Sequence, residues 1–323
     1  MAQILTSLHG NLLGLDVNGN LVDKNGNLIG NRIQTEGKTI YVSSVTGSAT
    51  ANGLSPDQAV TTLALATGIA TANQGDVVVF LPNHAQTITG VAGIAFSKAG
   101  VTYLGLGTYN QRPRFLMDGG TTVTAVISAA DVVLNNLVFA AGHSGVVAGI
   151  DVTAVGAQIL NCEFENNTTN ENFLTPIKAT GTTSAEADGL TVQGCQWITS
   201  DADDLEFIEL NADTARVTIA DNYVNSAGTA SPLLLVAGTK ILTGAKILRN
   251  IIQNANTAND LLIDNGGSTG QTGIVAYNLI GNLDTTGAQL GGAATGLQFF
   301  ENYYTSTSTD SGAIAPAADT PLT

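Results

Sequence analysis

A short phrase returns seven times along this chain at intervals long enough for one turn of a coil. It reads Leu134-Asn-Asn-Leu-Val-Phe139, Leu160-Asn-Cys-Glu-Phe164, Val192-Gln-Gly-Cys-Gln-Trp197 and Ile219-Ala-Asp-Asn-Tyr-Val224. It continues as Ile247-Leu-Arg-Asn-Ile-Ile252, Val275-Ala-Tyr-Asn-Leu-Ile280 and Gln298-Phe-Phe-Glu-Asn-Tyr-Tyr304. The closing apolar residues step by 25, 33, 27, 28, 28 and 24. Such a period marks a solenoid, in which each unit buries its apolar face only against its neighbours. Alternation of apolar and polar residues, with β-branched and aromatic types, implies strands rather than helix pairs. The expected fold is all-β, a right-handed parallel β-helix.

A second column supports the same coil. Gly149–Val152, Pro176–Ala179, Phe207–Leu210, Leu233–Val236 and Leu261–Asp264 lie between the phrases, with Ile150, Ile177, Ile208, Leu234 and Leu262 expected to point inward. Stacked strands lie about 4.8 Å apart, so eight or nine coils would reach roughly 40 Å. Within the phrase, one position reads Leu137, Cys162, Cys195, Asn222, Asn250, Asn278 and Asn302. Four asparagines in succession predict an amide ladder, because an unpaired buried amide costs a few kcal/mol. A ligand-binding stripe of amides is the competing reading. Cys162 and Cys195, at equivalent positions, are expected as stacked core thiols rather than a bridge, and they require no oxidising compartment.

Composition agrees with a long solenoid and excludes some partners. Charged residues make up 11% of the chain, against the roughly 25% usual in globular domains. A formal net charge of −15 repels phosphate backbones, and the 11 Lys and Arg form no run, so no nucleic-acid partner is expected. No apolar run reaches membrane-spanning length, so no membrane partner is expected, and the N-terminus shows no signal-peptide pattern.

The flanks differ from the coils. Residues 1–36 are read as an N-terminal β-hairpin or meander arm, a docking element, from the tandem Asp16-Val-Asn-Gly-Asn-Leu21 and Asp23-Lys-Asn-Gly-Asn-Leu28. Asn-Gly between apolar residues suits the positive-φ positions of a hairpin turn. A calcium loop at Asp16, Asn18 and Asn20 fails, since Leu21 replaces the needed Gly and Asn27 the needed Glu. Residues 37–305 form the β-helix. Within it a cap helix is expected over about 55–73, with Ser55 as its N-cap, Pro56 at its first position and an acid at Asp57. Residues 306–323 are expected to be an extended tail.

The opening of the coils carries a resemblance. Tyr41-Val-Ser-Ser44, a loop to Gly53-Leu-Ser-Pro56, a helix, then Gly75-Asp-Val-Val-Val-Phe-Leu-Pro-Asn-His84 and Gly100-Val-Thr-Tyr-Leu-Gly-Leu-Gly107 resemble right-handed parallel β-helix proteins. That group includes pectate-lyase-like enzymes and virion proteins of tailed bacteriophages, and the resemblance spans roughly 39–305. It implies a structural virion protein: a capsid decoration (cement) protein or head spike on the outer capsid surface. By the same resemblance the chain would be a homotrimer docked to the major capsid protein through its arm. The alternative is a tail spike with polysaccharide-binding or depolymerase activity, or a polysaccharide lyase.

Candidate chemistry is sparse. Asp151, Lys178 and Glu209 are outward neighbours on three coils, and Asp201, Asp203, Asp204 and Glu206 form an acidic stretch with Arg216 later in that coil. A surface charge ladder and a solvated acidic turn account for both. Arg32, Arg112, Arg114, Arg216 and Arg249 share no column, and aromatic content is 5% with Trp197 facing inward. His9, His84 and His143 are read as surface or corner residues, and His143-Ser144 lacks a triad Asp. Gly105-Leu-Gly107 has Asn110 where a dinucleotide fingerprint needs glycine. The expectation is a non-enzyme with no catalytic residue, no cofactor and no metal.

Overall fold

The computed structural model describes residues 4–6, 12–15, 21–22, 37–166, 168, 170–180, 186–228, 233–254, 263–264, 270–282, 296–306 and 311–313. The chain divides into two units, Met1–Glu36 and Gly37–Thr323. In the first, Ile4–Thr6, Leu12–Leu15 and Leu21–Val22 form a three-stranded antiparallel sheet. The first Asn-Gly pair lies between the second and third strands in sequence and outside the described residues. The second pair and the Asp16–Asn20 segment lie outside the described residues.

The second unit is an all-β parallel solenoid of about seven turns, built from three long sheets and a two-stranded one of Thr214–Ala215 and Leu242–Thr243. Sheet I has seven strands, from Ile94–Phe96 to Ile263–Asp264. Sheet II has ten, from Thr39–Val42 to Leu297–Phe300. Sheet III also has ten, from Ala85–Ile88 to Tyr303–Ser306 and the added Ser311–Ala313. Each turn visits I, II and III in that order. The phrase column stacks as Phe115, Phe139, Phe164, Trp197, Val224, Ile252, Ile280 and Tyr304, rung on rung. Phe139 lies stacked between Phe115 and Phe164, with centroids 5.6 Å apart on each side.

Backbone conformation explains why the phrase has its residues. At the corner between sheets II and III, Asn136, Asn161, Gly194, Asp221, Arg249, Tyr277 and Glu301 all take φ between +43° and +65°. Asn, Asp and Gly reach that left-handed region most readily. The next residue turns inward, which makes it the ladder position. Asn222, Asn250 and Asn278 each donate from Nδ2 to Oδ1 of the asparagine one coil on, at 2.8–2.9 Å. Each also donates to a carbonyl of the coil before: Val192, Ile219 and Ile247. Asn302 closes the run on the Val275 carbonyl. The structural reading of this column holds, and Cys162 and Cys195 below it are buried free thiols.

Four expectations change. The helix over 55–73 is two pieces: a 3-10 turn at Pro56–Gln58 and an α-helix at Leu63–Ile69. Ala59 and Val60 between them are buried, and Val60 N donates to Tyr41 O while bridging Val42, which pulls the chain out of helix. The helix packs on Thr39–Val42 and on Ile94–Phe96, the terminal strand of sheet I, so it covers that edge. The second column ends at Ile263, not Leu262, because Leu234 pairs with Ile263. The 306–323 tail returns as a strand at Ser311–Ala313, antiparallel to Tyr303–Ser306. Among the described residues about seven complete turns stand where eight or nine were expected, and at the first of the remaining rungs the helix takes the place of a sheet I strand.

Candidate functional site

The long sheet I strands Val146–Val152 and Phe173–Ala179, with Ile208–Leu210 on the next coil, place three side chains in one outward column. Asp151 pairs in register with Lys178, and Lys178 with Glu209. Lys178 Nζ lies 2.5 Å from Glu209 Oε2, with both side chains mostly covered. Asp151 does not continue this ladder. Its carboxylate accepts from the Thr180 hydroxyl and, at 3.2 Å, from the Thr180 N–H.

The acidic stretch before Ile208 is not a solvated turn. Asp201 and Asp203 stay at the surface, with Asp203 N donating to Asp201 Oδ1 at 3.0 Å. Asp204 and Glu206 are buried, at 0% and 1% exposure. Asn172 Nδ2 donates to Asp204 Oδ1, and the Thr175 hydroxyl to Glu206 Oε1, both at 2.9 Å. Asp204 Oδ2 has no hydrogen-bond partner; Thr199 favours its charged form without completing a bond to it. Burial pushes Asp204 up to about 6. Burial first, and then the neighbouring Glu209 charge, push Glu206 up to about 8, so Glu206 holds a proton at neutral pH.

These contacts connect Thr175, Glu206, Glu209 and Lys178 into one line from the interior to the surface. Glu206 can donate its proton to the Glu209 carboxylate, which Lys178 neutralises from the other side. Arg216 does not join them; it is exposed and lies 3.6 Å from Asp188. Asn172 and Thr175 escaped the sequence reading, although they precede Asp204 and Glu206 by 32 and 31 residues. The step from Ile177 to Ile208 on the same two coils is 31. That equality was the available signal.

The remaining candidates go elsewhere. His84 sits at a corner, between Val77–Phe80 and Ala85–Ile88, but is buried: Nδ1 accepts from Ser44 N at 3.0 Å and the ring packs against Phe80 and Phe115. Burial pulls its pKa down to about 4. His143 Nδ1 lies 2.7 Å from the Ser144 carbonyl, which is no triad. A 3-10 turn at Tyr109–Gln111, rather than a full helix, follows Gly105-Leu-Gly107. His9 lies outside the described residues. Among the described residues, no group of three or more His, Cys, Asp or Glu is arranged to hold a metal ion.

No protein-family model matches the sequence, and no curated protein matches it. Solved structures do share its path. A lacto-N-biosidase from Eubacterium ramulus matches with TM-score 0.45 and 11% identity, over 83% of this chain and 67% of that one. A rhamnogalacturonan lyase matches with TM-score 0.43 and 13% identity, over 86% of this chain and 90% of that one. A surface adhesin of Streptococcus pneumoniae matches with TM-score 0.35 and 15% identity, over 76% and 65%. Likenesses of this strength carry no activity across to the chain. Two of the three are enzymes by their own descriptions. The expectation of a non-enzyme is therefore corrected. It rested on scattered arginines and scarce aromatics, whereas the coil gathers a lysine and two glutamates instead.

Proposed function

We propose that the solenoid engages a polysaccharide on its seven-stranded sheet and transfers a proton to or from it. The observation that carries this reading is the line Thr175–Glu206–Glu209–Lys178. A buried acid whose pKa is raised, set beside a second glutamate and a lysine, is an expensive arrangement for a scaffold and a useful one for acid–base chemistry. Lys178 is the member nearest the surface and the one that would meet the glycan, with Glu209 mostly covered beside it. Glu206 stands behind Glu209 and holds the buried end of the line.

The two glutamates touch each other. Displacement at a sugar with a carboxylate on either side needs them about 5–9.5 Å apart. The geometry therefore favours a single acid–base centre, as in proton abstraction from a bound sugar, over a flanking carboxylate pair. The test is incubation of the full chain with a panel of polysaccharides, reading new reducing ends and unsaturated ends. Glu209→Gln and Lys178→Ala should lower turnover by about 100-fold or more with the fold intact. A chain that neither binds nor cleaves any of them sinks the reading.

Mounting on a virion, docking of residues 1–36 to a major capsid protein, and threefold assembly are a separate proposal. It rests only on the sequence resemblance of residues 39–305, and glycan engagement is compatible with it.

A further inference from the structure

The outward column of sheet III changes character along the solenoid. In register it runs Arg114, Val138, Glu163, Gln196, Tyr223, Ile251, Leu279 and Tyr303. Its early part is closed: Val138 is buried, Glu163 pairs with Arg112 at 2.7 Å, and Arg114 with Glu165 at 2.8 Å. Its last three are apolar and open, with Ile251 and Leu279 each 43% exposed and Tyr303 51%. Sheet II does the same in those coils, where Ile274 is 42% exposed and Phe300 50%.

Tyr277 joins the two sheets at their corner. It is 55% exposed with φ +60°, at the position filled by Asn136, Asn161, Gly194, Asp221 and Arg249 in earlier coils and by Glu301 in the next. The left-handed backbone disfavours tyrosine there, and no core packing requires it. Neither local conformation nor burial accounts for an aromatic ring at this position.

We propose that this apolar corner, centred on Tyr277, Leu279, Phe300 and Tyr303, is the interface with a second copy of this chain. Aromatic and aliphatic side chains with few charges are the composition of an interface centre. The bordering charges are of mixed sign: Lys246, Glu301, and Arg249, the last bonded to Asp221. The corner thus stays near neutral while the chain carries −15, so it is a face on which two copies can meet without repulsion. Side chains of half-exposed aromatic size contribute roughly 100 Å² each, so the six apolar residues offer on the order of 500 Å². That is most of the roughly 800 Å² per partner in a stable interface. Spacing argues for like meeting like. These residues stand on rungs about 4.8 Å apart, and a second stack of the same rung spacing fits its ridges between them along the whole patch.

Sedimentation velocity of the full chain over a hundredfold concentration range tests this. The wild type should sediment as a dimer or closed ring, and Leu279→Lys with Tyr303→Ser should sediment as a monomer. Gln196→Lys, on the polar part of the same column, should leave association unchanged. Hydrogen exchange of the unmutated chain gives a reading free of folding artefacts: amides of 274–280 and 297–303 should slow as concentration rises. A wild type monomeric throughout, with exchange independent of concentration, overturns the proposal. So does a patch protected by an added polysaccharide and not by concentration, which would make a glycan its occupant.

Discussion

Asn250 shows how much one residue can hold in this architecture. Its amide donates to Asn278 Oδ1 and to the Ile219 carbonyl, and its own Oδ1 accepts from the backbone and side chain of Asn222. Asn250→Ala would strand several buried polar groups at once, each costing about 1–3 kcal/mol. Urea denaturation should show a loss of about 3 kcal/mol or more, and a smaller loss for Asn302→Ala at the open end of the run. A loss below about 1 kcal/mol at Asn250 would mean that water replaces the ladder. This column was legible in the sequence because four identical amides recurring at one coil position are seldom a coincidence. The neighbouring carboxylates were not. Asp204 and Glu206 belong to a stretch of mostly acidic letters, and nothing in those letters says which way they turn. Their burial depends on the coil above, where Gly228 comes so close that a Cβ there would lie 2.1 Å from the Asp204 carbonyl oxygen.

At the scale of elements, the capping helix shows where local signals mislead. Ser55-Pro56-Asp57 reads as a helix start, yet Ser55 makes no side-chain cap bond and opens only a 3-10 turn. The true start is Thr62, whose side chain accepts from Leu65 N at 3.4 Å. Thr62→Ala should therefore cost about 0.5–1 kcal/mol, and Ser55→Ala a few tenths at most. Thermal melts of the two variants side by side decide it, and equal effects would refute the assignment. Register errors have a related cause. Leu261, Leu262 and Ile263 are three apolar residues in a row, so alternation could not choose the one that meets Leu234. Where alternation was clean, as in the phrase column, every rung was predictable.

For the whole molecule, buried titratable groups tie stability to pH in opposite directions. Glu206 moves from 4.5 to about 8 on folding. Between those values only the unfolded chain gives up this proton, so stability falls as pH rises. Asp204, raised from 3.8 to about 6, acts the same way over a lower window. His84, lowered from 6.5 to about 4, does the reverse: stability is lost as pH falls from 6.5 toward 4. The contributions oppose each other below 6.5, which leaves pH 6.5–8 to Glu206 among these three. Denaturation midpoints should decline across that window in the wild type and stay flat in Glu206→Gln. A wild type with no slope there would mean that Glu206 is ionised throughout.

The asparagine run also has a direction. Asn222, Asn250 and Asn278 each hand their hydrogens to the coil after and to a carbonyl of the coil before, so each rung reads like one letter of a repeated word. From Asn222 to Asn250 and from Asn250 to Asn278 the word is 28 residues long both times. A copied 28-residue block inserted there would find the same donor below and the same acceptor above. Lengthening by gene duplication is thus open in this stretch. It is closed between Leu137 and Cys195, where steps of 25 and 33 and a change of side chain break the grammar.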